Sequence, residues 1–321
     1  MNKKVKLITL ISLGVLMVIL LGIYSVPKLL DSGKTAAAQS TEIIAQTKLP
    51  SPQPKLDSFI PISEQYQESV HSTALNTLLE EMKKPDHHVQ PRCFQCHSYE
   101  YAMAPMDGKP AVAQLNSSIG CADCHKIDNL GAYTLKDENV TELCSSCHTG
   151  MSSGTVKPGG SWHHPHGEMF KGIGAIGLPE MPDGRYKEGI SCAECHMTNQ
   201  NHTFEATLPS KAMEEKRITS CNLCHANEDE QEFAERIDKL QEDFKAQDEQ
   251  YMNRLASVNE ALAKNKDNPD YSEANNLYGR LFTNLTLIEA DASWGIHNLN
   301  YTKAIMADVE ANLPRLEEMI K

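Results

Sequence analysis

Every cysteine in the sequence belongs to one repeated pattern, in which two cysteines three positions apart are followed at once by a histidine. The five copies are Cys93/Cys96/His97, Cys121/Cys124/His125, Cys144/Cys147/His148, Cys192/Cys195/His196 and Cys221/Cys224/His225. This spacing is typical of covalent haem c attachment, in which two thiols bond one porphyrin and the histidine binds its iron. The sequence therefore predicts five covalently attached haems.

Zinc ribbons and disulfide scaffolds also use paired cysteines. Five pairs cannot all combine two by two into zinc sites. A disulfide scaffold would account for the cysteines but leave five histidines in register unexplained. We therefore interpret all ten cysteines as haem attachment sites.

Eight further histidines lie outside the motifs, in five clusters along the chain. The clusters are His71, His87/His88, His163/His164/His166, His202 and His297. Five clusters for five irons favour one distal imidazole per haem, and the predicted ligands are His71, His88, His166, His202 and His297. Iron with two imidazole ligands is closed to substrate and suited to electron transfer. The same count also allows four distal ligands and one histidine over an open iron.

The longest stretch between motifs, residues 149–191, contains the candidate catalytic residues His164, Arg185 and Tyr186. An open haem that reduces a nitrogen or sulfur oxyanion needs a cation to hold the anion and side chains that supply protons. These three side chains match that chemistry. The alternative is a glycine-rich surface loop in which Arg185 and Tyr186 belong to a solvated turn.

Residues 1–29 have the features of a membrane anchor. Three lysines among the first six residues precede an almost wholly apolar run at 7–26, which is long enough to cross a bilayer as a helix. Lysines ahead of such a run keep the N-terminus in the cytoplasm and direct the rest of the chain across the membrane. A cleaved signal peptide ending at the alanines 36–38 is the alternative, although the apolar run is longer than is usual for one.

The rest of the chain divides by composition into a flexible tether at 30–60, a pentahaem domain at 61–226 and a helical hairpin at 227–321. The hairpin begins with an amphipathic helix of about 35 residues, contributes His297, and is predicted to end its last helix at Pro314. Its apolar stripe could also serve a homodimer interface. The predicted fold is mainly α-helical, with little regular sheet. Because only 6% of residues are aromatic, we expect haems to fill much of the core.

Four segments resemble the multihaem family that includes ammonia-forming cytochrome c nitrite reductase and hydroxylamine oxidoreductase. They are residues 68–71 (ESVH), 164–168 (HPHGE), 190–204 around the fourth motif, and 295–298 (GIHN). The resemblance implies that His71, His202 and His297 are distal ligands. It also implies that His164 matches the active-site histidine of the nitrite reductases.

The sequence departs from those reductases at two places. The first motif ends in His97, where they usually carry lysine, and Thr149-Gly150-Met151 follows the third motif, where they carry a tyrosine. These departures favour electron transfer by an inner-membrane-anchored cytochrome that faces the periplasm, with a nitrite- or hydroxylamine-type reductase as the alternative. Expected partners are a quinol-oxidising or other membrane redox protein and periplasmic or outer-membrane cytochromes. The net charge of −13 argues against nucleic acid.

Overall fold

The chain folds mainly into α-helices, as a computed structural model that describes residues 60–127, 133–150 and 156–321 shows. The helices are α1 (Ile62–Glu68), α2 (Ala74–Glu81), α3 (Phe94–His97), α4 (Tyr99–Met103), α5 (Cys121–Cys124), α6 (Val140–Ser145), α7 (His166–Lys171), α8 (Gly184–Lys187), α9 (Cys192–His196), α10 (Pro209–Glu215), α11 (Asn222–His225), α12 (Glu230–Lys264), α13 (Tyr271–Asp291) and α14 (Leu299–Met319). Within these residues the only sheet is one antiparallel pair, β1 (His125–Ile127) and β2 (Tyr133–Leu135), with His125 opposite Leu135. The predicted helical class with little sheet is confirmed.

Helices before α12 are short, and 3-10 turns at Val70–Thr73, Pro91–Cys93, Met106–Gly108, Val112–Gln114 and Thr198–Gln200 connect several of them. A small core of Leu75, Phe94 and Leu115 lies beside the first motif. Phe94 stands between the two cysteines of that motif and is 1% exposed. The motif is therefore anchored by its own spacer residue.

The largest apolar core lies among the three long helices α12, α13 and α14. The carboxylate of Asp229 accepts a hydrogen bond from the Glu232 backbone N–H (2.9 Å) and starts α12, as an N-cap residue does. The side chain of Asn298 starts α14 in the same way, through the Tyr301 N–H (3.0 Å). The sequence predicted an amphipathic helix of about 35 residues, and α12 has this length. The prediction succeeded because the apolar stripe of the helix faces this core.

One detail of the predicted hairpin is wrong. The last of its three long helices, α14, was predicted to end at Pro314 but continues through it to Met319. Proline removes one backbone hydrogen bond from a helix interior. Leu313 and Leu316, on either side of it, are both 0% exposed, so burial of the following turn outweighs the lost bond.

The glycine-rich segment after residue 156 packs against α13 and α14. Gly159 N–H donates to the carbonyl of Gly279 (2.9 Å), and Ala175 N–H donates to Tyr301 Oη (2.8 Å). A Cβ on Gly279 would lie 2.9 Å from the Gly159 nitrogen, so the close approach requires glycine there. Trp162, in the same segment, is 6% exposed and belongs to the helical core. The segment is a packed connection and not a solvated loop.

Residues Ile60–Lys321 make one compact unit. The predicted anchor at 1–29 and all but the last residue of the predicted tether lie outside the described residues. Among the helices that are described, none is both long and apolar enough to cross a membrane. The domain boundaries predicted from composition remain predictions.

Candidate metal centres

Each Cys-x-x-Cys-His copy lies on or beside a helical turn, which places its two sulfurs on one side of the backbone. Neighbouring polar residues hold these turns. Before the fourth motif, the Ser191 N–H donates to the Glu194 carboxylate (2.7 Å), while the Ser191 hydroxyl accepts from the Ala193 N–H (3.3 Å). At the second motif, the Gly120 N–H donates to Asp123 (2.7 Å). The spacer residues thus preform the geometry of the attachment sites.

No disulfide joins the ten cysteines, all of which lie within the described residues, and cysteines of different motifs interact. Hydrogen bonds link the side chains of Cys96 and Cys147 and those of Cys144 and Cys192. Electrostatic interactions link Cys124 with Cys147 and Cys195 with Cys221. The third motif therefore adjoins the first, the second and the fourth, and the fourth adjoins the fifth. The five attachment sites form one continuous series with the third motif at its branch point.

Four motif histidines face a second imidazole. The distances between ring centres are 6.5 Å for His97 and His163, 6.4 Å for His125 and His202, 5.8 Å for His148 and His71, and 6.1 Å for His196 and His297. One iron bonded to a nitrogen of each ring at about 2 Å would hold the ring centres about 6 Å apart. The residues present therefore fit haem iron between each pair.

Hydrogen bonds at Nδ1 fix the tautomer of two of these imidazoles, His196 and His202. His196 Nδ1 donates to the carbonyl of Phe204 (3.1 Å), and His202 Nδ1 donates to the carbonyl of Gln200 (2.8 Å). A histidine whose Nδ1 carries the proton leaves Nε2 free to bind a metal, and such partners are usual for ligating histidines. The tautomer that these bonds select is the metal-binding one.

Four imidazoles near the motifs are held neutral by burial. Burial, followed by the neighbouring histidines, lowers the pKa of His148 to about 3 and that of His164 to about 4. Burial also lowers the pKa of His71 and His196. Neutral imidazole is the form that binds a metal, so proton competition is weak at neutral pH.

His297 belongs to a second arrangement, centred on the buried carboxylate of Asp291. His297 Nδ1 donates to Asp291 Oδ1 (2.6 Å), and Ser293 Oγ donates to Oδ2 (2.5 Å). Burial would raise the pKa of Asp291, but the charge of His297 and hydrogen bonds from His166, His297 and Ser293 lower it to about 2. Asp291 thus remains ionised and fixes the orientation of His297.

His163, His164 and His166 crowd around the first and third motifs. His164 lies 6.4 Å from His97 and 6.3 Å from His148, and its backbone has a positive φ of 51°. His166 lies 5.2 Å from His148 and 5.6 Å from His297. The structure therefore places more than one imidazole near two of the motif histidines.

Arg185 and Tyr186 lie in a different environment from His164. The Arg185 guanidinium donates to the backbone carbonyls of Ile296 (2.5 Å) and His297 (2.9 Å). Tyr186 makes an edge contact with Phe170. In the described residues, no hydrogen bond, ion pair or ring contact joins either residue to His164. Arg185 holds the segment that carries His297.

The remaining predicted ligand, His88, is exposed, and it makes no ring contact with another described residue. His225 is also exposed, and its ring packs on Phe233 at 4.6 Å. Its Nδ1 bonds to the carboxylate of Glu228. His225 is the one motif histidine that faces no second imidazole within the described chain.

Three residues near the metal centres were not among the predicted site residues: His163, Asp291 and Glu228. His163 precedes His164 in the chain, and it was missed because the prediction took one distal ligand from each cluster of histidines. Asp291 and Glu228 follow a different signal, a carboxylate within six positions of a ligand histidine. That signal is too common in sequences to be specific without the fold.

Known proteins are similar to two parts of the chain and to its fold. Residues 160–313 match the cytochrome c552 family, and residues 61–126 match the family of cytochrome c554 and c-prime. No curated protein matches the chain.

Solved structures with the same fold are multihaem proteins. The outer cell wall cytochrome OcwA is 28% identical, over 78% of this chain and 50% of that one, with a TM-score of 0.62. An undecahaem cytochrome from the S-layer of Carboxydothermus ferrireducens is 25% identical, over 76% of this chain and 40% of that one, with a TM-score of 0.55. This chain thus spans half the length or less of these two relatives.

Cytochrome c nitrite reductase from Desulfovibrio desulfuricans has a TM-score of 0.57 over 78% of this chain and 70% of that one. At 15% identity, this likeness concerns the fold alone.

Proposed function

We propose that this chain is a multihaem c-type cytochrome, which carries five covalent haems and transfers single electrons among them. The observation that supports this most strongly is the continuous series of attachment sites, in which cysteines of different motifs interact. When bound, the haems would supply reversible one-electron chemistry. The chain supplies the ligands, their orientation and the spacing.

The paired imidazoles support electron transfer over catalysis. Histidines on both sides of an iron leave no position for substrate. The pairs that serve this role are His163 or His164 with His97, His202 with His125, His71 with His148, and His297 with His196. Asp291 and Arg185 keep the His297 segment in place.

We also propose an extracytoplasmic position, with residues 1–29 as an inner-membrane anchor and the haem-bearing part in the periplasm. The relatives named for an outer cell wall and an S-layer act outside the cytoplasm, which supports export of this chain. A membrane donor such as a quinol-oxidising protein would pass electrons to it. Periplasmic or outer-membrane cytochromes would accept them, and the long C-terminal helices could join two copies.

A reductase of nitrite or hydroxylamine type is the second candidate. His164 favours it, because this histidine lies 6.4 Å from His97 and would be available for proton transfer if His163 left the iron. Arg185 does not support it, because its guanidinium is held by backbone carbonyls. Fast oxidation of the reduced protein by nitrite or hydroxylamine, lost in His164→Ala, would favour this candidate.

Removal of the third motif, the branch point of the series of attachment sites, tests the proposed path of electrons between haems directly. The reduced full-length protein is mixed with a substoichiometric amount of ferricyanide, and haem absorbance is followed by stopped flow. Cys144→Ala/Cys147→Ala removes the third motif and separates the first motif, the second motif, and the fourth with the fifth. The reoxidation should then split into more than one phase. The slower phase should depend on protein concentration, because separated haems can then equilibrate only between molecules.

Cys121→Ala/Cys124→Ala is the matched control, because the second motif is linked to the third through Cys124 and ends one branch of the proposed series. This variant should lose one haem and keep a single phase, like the wild type. A wild-type protein that itself shows concentration-dependent phases would contradict the proposed path. So would identical kinetics in both double variants.

A further inference from the structure

The fifth motif differs from the other four in the surroundings of its histidine. All thirteen histidines of the chain lie within the described residues, so every imidazole that could face His225 has a known position. Among the described residues, the only ring in contact with His225 is that of Phe233, with ring centres 4.6 Å apart and planes at 28°. A phenyl ring has no atom that can bind iron.

Glu228 gives His225 a partner that no other motif histidine has. The Glu228 carboxylate accepts a hydrogen bond from His225 Nδ1 and is itself paired with Arg236. Arg236 also lies over the Phe233 ring, at 5.0 Å from its centre. By contrast, the Nδ1 atoms of His97 and His196 face backbone carbonyls. A carboxylate partner makes an imidazole a more basic ligand than a carbonyl does.

The site is open to solvent. The His225 side chain is 44% exposed, Cys224 is exposed, and Leu223 between the two cysteines is 64% exposed. The other motif histidines are half-buried. Small molecules can therefore reach this motif without a change of fold.

We propose that His225, positioned by Glu228, is the only histidine ligand at the fifth motif, and that the iron there binds one small exogenous haem ligand of the cyanide class. This inference rests on the proposed haem at that motif. It places the ligand-binding iron at the solvent-exposed end of the haem series. The predicted catalytic residue His164 lies elsewhere, beside the first and third motifs.

The test is a cyanide titration of the oxidised full-length protein, followed by optical and electron paramagnetic resonance spectroscopy. We expect one high-spin ferric haem that converts to low spin with one equivalent of cyanide per chain. Cys221→Ala/Cys224→Ala should lose one haem and all cyanide binding. The matched variant Cys121→Ala/Cys124→Ala should lose one haem and keep the cyanide binding.

Glu228→Gln tests the positioning role in a variant that keeps every haem attachment site. Because a neutral amide draws less charge onto His225, the midpoint potential of the high-spin haem should shift upward while those of the low-spin haems stay unchanged. Glu232→Gln is the control, since Glu232 is also exposed, lies in the first turn of α12 shortly after Glu228, and has no hydrogen bond or ion pair with His225 among the described residues. Equal potentials in both variants would remove Glu228 from this role.

The haem count separates the two proposals. If the wild type carries fewer than five haems because the fifth motif is unmodified, the pentahaem proposal fails. If it carries five and binds no cyanide, the present inference alone is wrong. Cyanide binding that appears only in His88→Ala would likewise overturn it, because His88 would then be the sixth ligand.

Discussion

At the residue scale, Asp291 is the side chain on which one metal centre depends most. It is 2% exposed, and it accepts hydrogen bonds from His297 and Ser293. A buried carboxylate needs such partners, because burial without them destabilises the charged form. Asp291 therefore orients His297 and would make it a stronger electron donor to an iron held between His297 and His196.

Asp291→Asn keeps the size of the side chain and removes its charge. We expect a fully loaded protein in which one low-spin haem has a higher midpoint potential, because His297 becomes a weaker donor. A spectroelectrochemical titration measures this shift. Asp308→Asn is the control, since Asp308 pairs with Arg280 (2.6 Å) and contacts no histidine. The same shift in both variants would contradict the assigned role.

At the same scale, the sequence was sufficient for some ligands and not for others. The spacing of Cys192, Cys195 and His196 is a local sequence pattern, so this attachment site can be predicted without knowledge of the fold. The partner of His196 lies about a hundred positions away at His297, and only the packing of α13 and α14 brings the two rings together. Counting clusters also missed that His163 and His164 share one neighbourhood, with ring centres 4.0 Å apart.

At the element scale, a buried aspartate on α12 lies beside an exposed glutamate on α13. Burial raises the pKa of Asp248 on α12 to about 8, and Glu289 on α13 contributes through its charge and a hydrogen bond. In the unfolded chain the pKa of an aspartate is about 3.9. Between about pH 4 and pH 8 the folded protein thus holds a proton that the unfolded chain has lost. This group lowers the stability of the fold as pH rises through that window.

Asp248→Asn should flatten this pH dependence. We expect the variant to exceed the wild type in free energy of unfolding by about 1–3 kcal/mol at pH 8 and by little at pH 4. Thermal melts by circular dichroism from pH 4 to pH 8 measure the difference. Asp243→Asn, an exposed change on the same helix, should follow the wild type. A variant curve parallel to that of the wild type would refute the role of Asp248.

The elements also show why prediction succeeded for α12 and failed around Pro314. A long helix with one apolar stripe can be predicted from the periodicity of its sequence, because every turn repeats the same pattern of apolar residues. Proline is a local helix-breaking signal, and only the burial of Leu313 and Leu316 outweighs it. The segment beginning at residue 156 is similar, since its glycines suggest a loop and its packing depends on Gly279, more than a hundred positions away.

At the scale of the whole molecule, the small number of aromatic side chains is consistent with an interior that haems help to fill. The three long helices share the largest apolar core with Trp162 and Met169 of the segment after residue 156, while the described residues around the first motif have short helices and the small core of Leu75, Phe94 and Leu115. Covalent haems would supply the apolar surface that this region lacks. We therefore expect folding of residues 60–225 to depend on haem attachment.

Membrane attachment is a second property at this scale. Replacing residues 1–29 by a cleavable signal peptide should move the cytochrome from the membrane fraction to the soluble periplasmic fraction. Haem staining of the two fractions measures the distribution, with the unaltered chain as the control. An unaltered chain found in the soluble fraction would contradict the anchor and favour the cleaved signal.

The account as a whole depends on how many irons have two imidazole ligands. The most direct measurement is the haem content of the oxidised full-length protein together with the integrated intensity of its electron paramagnetic resonance signals. We predict five haems per chain, with low-spin signals for four and a high-spin signal for one. Fewer than four low-spin haems would mean that the paired histidines do not close their irons, and would contradict the electron-transfer function.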